Sequence, residues 1–172
     1  MRIEHLVRIA AAAARGESGR LPDLYRQAHA SGIGYGDLAE TTLQVFLFAG
    51  YPRTIVAFQA LQGAVAAESP PREQGIDFRE RGLVVFREVY GRHADTVLEI
   101  LDGLHPDFAR YVIHDAYGQV LGRPFLPLVE RELLAVAMLA ALDLPDQLKA
   151  HVRGARNAGA TDGQIDLALA ID

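Results

Sequence analysis

The chain has 172 residues, a formal net charge of −5, 50% apolar residues and 23% charged residues, and it contains no cysteine. This length predicts one domain with a sizeable core, and the apolar fraction excludes wholesale disorder. The lack of cysteine excludes disulfide frameworks, thiolate nucleophiles and zinc–thiolate sites. An acidic chain without a run of basic residues also argues against nucleic acid as a partner.

Apolar residues recur at intervals of three and four along the chain, which predicts an all-α fold. Asp37 followed by Glu40 predicts a cap for the third helix, and Thr161 with Gln164 predicts a capping box for the last one. Gly50-Tyr51-Pro52 is expected to separate two helices. The predicted helices are 3–15, 22–31, 38–49, 52–67, 79–90, 94–104, 106–120, 127–142, 145–158 and 162–171, with a loop at 68–78.

Neither a signal peptide nor a membrane helix is predicted. The apolar run Ile9–Ala14 follows Glu4, His5 and Arg8, which interrupt the segment that should precede a signal-peptide core. No stretch approaches the ~18 uncharged apolar residues of a membrane-spanning helix. We therefore expect a cytoplasmic protein without a membrane partner.

Two parts of the chain resemble each other. Aligning Glu4–Leu43 with Arg131–Ala170 matches a long helix, a turn, a second helix, a glycine turn and the start of a third helix. We predict an internal duplication, with repeat units of about 4–67 and 79–172 around one core. Chance identity between two alanine-rich hairpins is the alternative. The matched pairs include Arg26 with Arg153, Gly32 with Gly159, and Gly36 with Gly163, and each glycine is expected just past a helix, in left-handed backbone.

Glu132 and His151 are the candidate catalytic residues. Glu132 projects from the edge of the apolar face of its predicted helix, and His151 lies on the apolar side of the next. The short turn at Asp143–Pro145 makes the two helices antiparallel neighbours, so the two side chains could face each other. Because imidazole titrates near neutral pH, such a pair can exchange a proton with a substrate. The alternative is a hydrogen bond that only ties the helices together. The first repeat has His5 and Leu24 at the equivalent positions and cannot form this pair.

Several short motifs occur in order along the second half of the chain. They are Tyr117-Gly118, Arg123-Pro124, Arg131-Glu132-Leu133-Leu134, Leu148-Lys149-Ala150-His151 and Gly159-Ala160-Thr161. Upstream, Phe48-Ala49-Gly50-Tyr51-Pro52 adds a helix–Gly-x-Pro–helix segment. From about Leu21 to the C-terminus, this order resembles the carboxymuconolactone decarboxylase family. The resemblance implies an all-α, AhpD-like helical bundle, and a single domain over residues 1–172.

The resemblance also implies which chemistry to expect. In the peroxidase branch of the superfamily a Glu, two Cys and a His form a redox site. Glu132 and His151 stand at the spacing of that Glu and His, whereas Leu144 and Gln147 occupy the cysteine positions. Without thiols the chain has no electron donor for a thiol peroxidase reaction. The decarboxylase branch, which needs neither metal nor organic cofactor, is therefore the better match.

By that resemblance, the reaction removes CO2 from a small carboxylated lactone, or a related ring acid of aromatic catabolism, and leaves an enolate-like species. His151 would donate the proton and Glu132 would orient it. Arg123 or Arg131 would hold the substrate carboxylate or stabilise the developing charge. The alternative for each arginine is an ordinary surface charge. No cofactor and no metal are expected.

Tyr111, His114 and Tyr117 are spaced three residues apart on the predicted helix 106–120. His114 and Tyr117 are therefore candidates for contacting a ring-shaped substrate. A core-facing aromatic stripe explains the spacing equally well. A metal site built from His114, Asp115 and His151 has no recognised spacing.

Two hypotheses of different classes follow. The first is a decarboxylase that binds a small-molecule substrate. The second is a non-catalytic helical oligomer or ligand-binding protein in which the Glu–His pair is structural. An open pocket reached by both side chains would favour the enzyme. A hairpin core packed without a pocket would favour the non-catalytic protein. The resemblance also implies a homo-oligomer, a trimer or a hexamer, for which the apolar helices around 43–51 and 52–67 offer surface.

Overall fold

The computed structural model describes residues 2–69 and 72–171, and within them all regular structure is helical. The all-α prediction is therefore confirmed, and the arrangement is consistent with an AhpD-like bundle. None of the helices in these residues has both the length and the apolar character needed to cross a membrane. The helices are α1 (Arg2–Arg15), α2 (Leu21–Ala30), α3 (Tyr35–Ala64), α4 (Phe78–Tyr90), α5 (Ala94–Leu104), α6 (Phe108–Tyr111), α7 (Leu128–Ala141), α8 (Pro145–Asn157) and α9 (Asp162–Leu169), with a 3-10 turn (Gly91–His93) between α4 and α5 and a π-helix (Val112–Leu121) that continues α6.

The longest helix, α3, is broken where two helices were predicted. Gly50 has φ 74° and ψ 178°, a conformation that glycine adopts without steric cost, and Pro52 follows in the first turn of the second half. The predicted end at residue 67 is wrong, since the helix stops at Ala64 and Val65 is extended. Pro70 and Pro71, in the predicted loop 68–78, lie outside the described residues.

Two hydrophobic clusters hold the helices together. The larger one is built mainly from α1, α2, α3 and α7, and the alanine-rich α1 is buried against α3 and α7. The smaller one centres on Phe86, Ile113 and Tyr117, from α4 and the π-helix. Because α4 also packs on α8, and α8 packs on α7, the two clusters meet at α8.

The start of α3 differs from the predicted cap at Asp37 and Glu40. The helix begins at Tyr35 with Gly34 as its N-cap, and no side chain caps it. Asp37 instead forms an ion pair with Arg2, at 2.6 Å. Glu40 is buried and bound to arginines from distant parts of the chain. The cap prediction is wrong because a local pattern cannot account for partners that arrive by folding.

The two aligned hairpins end their second helices in the same way. Gly32 and Gly159 have φ of 94° and 95°, and in both places the amide of the next residue bonds to a carbonyl of the preceding turn. Gly36 and Gly163 were expected in left-handed backbone as well, which is wrong, since both lie inside the first turn of a helix. The duplication itself stays a prediction.

Two glycines allow α4 and the π-helix to touch backbone to backbone. A Cβ at Gly82 would overlap the carbonyl oxygen of Ile113, and one at Gly118 would overlap that of Phe78. This close packing brings Tyr90, the last residue of α4, to Tyr117 on the π-helix.

Candidate functional site

Glu132 on α7 and His151 on α8 are in contact, as the hairpin pattern predicted. Nδ1 of His151 lies 2.9 Å from Oε2 of Glu132, and both side chains are buried. The turn between the helices is short, and Asp143 in it adopts a positive φ of 54°. Because an ionised carboxylate only accepts hydrogen bonds, Nδ1–H is then the donor, and Nε2 is left for another partner.

The surroundings of the pair are closely packed. A Cβ at Gly154 would overlap Oε2 of Glu132 and would lie 2.7 Å from Cγ1 of Val89. Phe48 packs edge-on against the imidazole, with 5.7 Å between the ring centroids. Oε1 of Glu132 is buried without a hydrogen-bond partner among the described residues. The imidazole is thus held by the Glu132 carboxylate and the Phe48 ring, while Oε1 of Glu132 can still accept a hydrogen bond.

His151 lines a cleft of about 830 Å³. Its walls come from the end of α4, the 3-10 turn, α5 and α8. Glu132 is fully buried and is not among the lining residues. Of the pair, only the imidazole lines the cleft, and the acid contacts the imidazole from the buried side.

Tyr90 lines the same cleft and is a candidate that the sequence analysis missed. Its hydroxyl accepts a long hydrogen bond, 3.3 Å, from the hydroxyl of Tyr117. Burial is the main cause that raises the pKa of Tyr90; the nearby charge of Glu132 adds to the rise, while the Tyr117 hydrogen bond and the charge of Arg153 oppose it. Burial likewise raises the pKa of Tyr117. Because both pKa values are raised, both phenols keep their protons at neutral pH, and the hydrogen bond from Tyr117 leaves the Tyr90 proton uncommitted.

The predicted substrate-binding Tyr117 lies behind Tyr90. It is 3% exposed and belongs to the second hydrophobic cluster. It therefore reaches a ligand only through the Tyr90 hydroxyl, and its role as a direct contact stays a prediction.

The other predicted substrate contacts, Arg123 and Arg131, meet on Glu40. Nη2 of Arg131 lies 2.7 Å from one carboxylate oxygen of Glu40, and Nη2 of Arg123 lies 2.8 Å from the other. Arg131 is fully buried, so the surface-charge alternative is wrong for it. Arg123 lines a separate cavity of about 350 Å³, together with Glu73. Neither arginine lines the cleft at His151, and their role in holding a substrate stays a prediction.

His114 lies on the π-helix, outside the lining of the cleft. Its Nδ1 is 2.7 Å from Oδ1 of Asp115. The predicted stripe with Tyr111 and Tyr117 does not form, because π-helical bonds connect residues five apart and rotate the side chains away from α-helical spacing. Tyr111 is exposed and Tyr117 buried. Among the described residues, no group of three His, Asp or Glu side chains could hold a metal ion.

The fold and the pair define a class of protein: an all-α bundle with a buried acid–imidazole pair behind a ligand-sized cleft. Residues 106–172, which contain α7, α8, α9 and both members of the pair, match the carboxymuconolactone decarboxylase family. Over these residues, the resemblance seen in the motifs is confirmed.

Two relatives extend the comparison. A 4-carboxymuconolactone decarboxylase of Acinetobacter baylyi is 37% identical over 87 residues, which cover 50% of this chain and 65% of that protein. Peroxisomal protein 2 of Schizosaccharomyces pombe is 29% identical over 137 residues, which cover 76% of this chain and 64% of that protein. The chain therefore spans slightly less than two thirds of the length of these curated relatives.

Proposed function

We propose that this chain is a cofactor-independent carboxy-lyase acting on a small carboxylated lactone or a related ring acid of aromatic catabolism. The observation that carries the proposal is the imidazole of His151, backed by the buried carboxylate of Glu132 and open to a cleft. The family match over residues 106–172 and the identity with the A. baylyi decarboxylase support the same class of reaction.

In the proposed reaction, the bond between the ring and its carboxylate breaks and CO2 leaves. The electron pair of that bond passes into the conjugated ring carbonyl and forms an enolate. His151, in its imidazolium form, donates the Nε2 proton to carbon, becomes neutral, and recovers a proton from water in the cleft. Glu132 accepts the Nδ1 hydrogen bond and so holds the imidazolium in position before transfer.

Tyr90 is the proposed donor to the enolate oxygen. Tyr117 occupies an acceptor position of the Tyr90 hydroxyl, which leaves the Tyr90 proton free for a ligand in the cleft. A fixed donor directed at developing negative charge stabilises the transition state more than the substrate.

The experiment that tests the proposal is CO2 release from a panel of carboxylactones and 3-oxo acids, with the purified chain and no added metal or cofactor. We expect turnover of at least one carboxylactone. A hydroperoxide with a dithiol should not be consumed, because the chain has no cysteine to carry the electrons. A folded protein that releases no CO2 from any member of the panel contradicts the proposal.

A second candidate function is a non-catalytic ligand-binding protein of the same fold. The burial of Glu132, which leaves it outside the lining of the cleft, favours this candidate, since the pair could serve only to tie α7 to α8. Under this alternative, the ligands in the panel bind and are recovered unchanged.

We also propose a homo-oligomer, a trimer or a hexamer. On the second half of α3, Tyr51 and Ile55 are 70% and 55% exposed, which leaves large apolar side chains that a partner subunit could cover. Light scattering is expected to give three or six times the mass of one chain, and Ile55→Glu is expected to lower that mass. A monomer at micromolar concentration would contradict the proposed assembly.

A further inference from the structure

One wall of the cleft is apolar and belongs to α5. Val97, Ile100, Leu101 and Leu104 all line the cleft, and their spacing of i, i+3, i+4 and i+7 places them on one face of the helix. Such a stripe normally packs into a core, but here Ile100 and Leu104 are 59% and 69% exposed. Val97 and Leu101 also pack against the second hydrophobic cluster, so Ile100 and Leu104 are the part of the stripe that stays exposed at the cleft.

The cleft is also lined by cations. Arg92, Arg153 and Arg156 line it, with Asp146 as the acidic residue. Asp146 is paired with Lys149, and Arg156 is hydrogen-bonded to Asp162.

Among the described residues, Arg153 is the lining arginine whose guanidinium is available to bind a ligand. Within residues 2–69 and 72–171 it forms neither an ion pair nor a hydrogen bond with another side chain, while its charge reaches the phenol of Tyr90. In a chain of net charge −5, this local positive charge favours an anionic ligand.

We propose that the cleft binds an amphipathic carboxylate, with its anionic group on Arg153 and its apolar part along α5. A guanidinium matches a carboxylate through two parallel hydrogen bonds. The cleft volume of about 830 Å³ lies in the upper part of the ~300–1,000 Å³ range of ligand pockets, beyond what a single small ring fills.

This inference rests on the proposed function and specifies its substrate class: a ring compound with two carboxylates, one of which is lost, that also carries an apolar chain or a second ring. A cation that grips the leaving carboxylate would stabilise the substrate rather than the transition state. The carboxylate on Arg153 is therefore one that the reaction retains, and the departing one lies at His151 and Tyr90.

The test is calorimetric titration of the full chain with butanoate, hexanoate and octanoate, and with octan-1-ol as an uncharged match. We expect the Kd to fall two- to four-fold for each added methylene, because each one removes more apolar surface from water. Octan-1-ol is expected to bind at least ten-fold more weakly than octanoate.

Two variants, each with a matched control, test the contributions of Arg153 and of the apolar face of α5 separately. Arg153→Gln should weaken octanoate at least ten-fold and leave octan-1-ol unchanged, whereas Arg26→Gln, at the aligned position of the first hairpin, should change neither. Ile100→Ser should flatten the dependence on chain length. Its control is Val84→Ser, which should leave the dependence on chain length unchanged. Val84 is 62% exposed on α4 and lines none of the described cavities.

A Kd that is independent of chain length, or unchanged by Arg153→Gln, overturns the inference. Self-association that Ile100→Ser abolishes also overturns it, since the apolar wall would then be an interface between copies. His151→Gln should retain octanoate binding.

The binding site and the proposed function can fail separately. If no ring acid is decarboxylated while octanoate binding shows the expected dependence on chain length and on Arg153, the proposed function fails and the binding site stands. Decarboxylation that is indifferent to Arg153 and Ile100 would instead leave the proposed function standing and overturn the binding site.

Discussion

Replacing His151 with glutamine is expected to lower kcat for carboxylactone decarboxylation by two to four orders of magnitude. A positioned general acid contributes about 10²–10⁴-fold to a rate, and glutamine cannot supply a proton to carbon. The amide can still donate a hydrogen bond to Glu132, so the contact between α7 and α8 is kept. The measurement is CO2 release at saturating substrate, with far-UV circular dichroism to verify the helical content.

His29→Gln is the matched control, because His29 is exposed on α2 and lines none of the described cavities. Its activity should equal that of the unmodified chain. Glu132→Gln should cost less than His151→Gln, since Glu132 acts through the imidazole. Undiminished turnover by the His151 variant would remove the histidine from the mechanism.

Replacing Glu40 with alanine is expected to lower the free energy of unfolding by about 3–5 kcal/mol, because it leaves a buried arginine without its counter-charge. Arg131 is fully buried, its Nη1 has no partner among the described residues, and Glu40 accepts from its Nη2. Burial already lowers the pKa of Arg131, and the hydrogen bond to Glu40 opposes that effect. Urea unfolding followed by circular dichroism measures the loss.

An exposed ion pair provides the comparison. Asp23→Ala removes the partner of Arg26 on α2 and should cost less than about 1 kcal/mol. Glu40→Gln keeps a hydrogen-bond acceptor for Arg131, so its loss of unfolding free energy should lie between those of Glu40→Ala and Asp23→Ala. This variant also provides a measurement if Glu40→Ala does not fold. A cost below about 1 kcal/mol for Glu40→Ala would mean that Arg131 is compensated elsewhere.

Helix positions were predictable because their signals are local. The last helix starts at Asp162, as the Thr161–Gln164 pattern predicted, and both hydrogen bonds of the capping box are present. Pro145 begins α8, and the spacing on α7 and α8 was sufficient to predict that Glu132 and His151 approach each other. In each case the signal and the structure it specifies lie within one or two neighbouring helices.

The remaining features depend on contacts between distant segments. Glu40 and Arg131 are 91 positions apart, so nothing around Glu40 indicated that it would be buried rather than cap a helix. Tyr90 lines the cleft from the end of α4, whose close approach to the π-helix depends on Gly82 and Gly118. The π-helix was itself not predicted, and the change in its spacing separates the side chains that were expected to form one stripe.

The lack of a side chain at Gly154 gives the Glu132 carboxylate its space, so the residue at this position can be compared between this chain and its relatives. Any bulkier residue there would occupy the space of the Glu132 carboxylate, so the acid would have to turn away although neither it nor His151 had changed. In a homologue that keeps the glutamate and the histidine but carries a larger residue at this position, we therefore expect the carboxylate to be displaced from the imidazole.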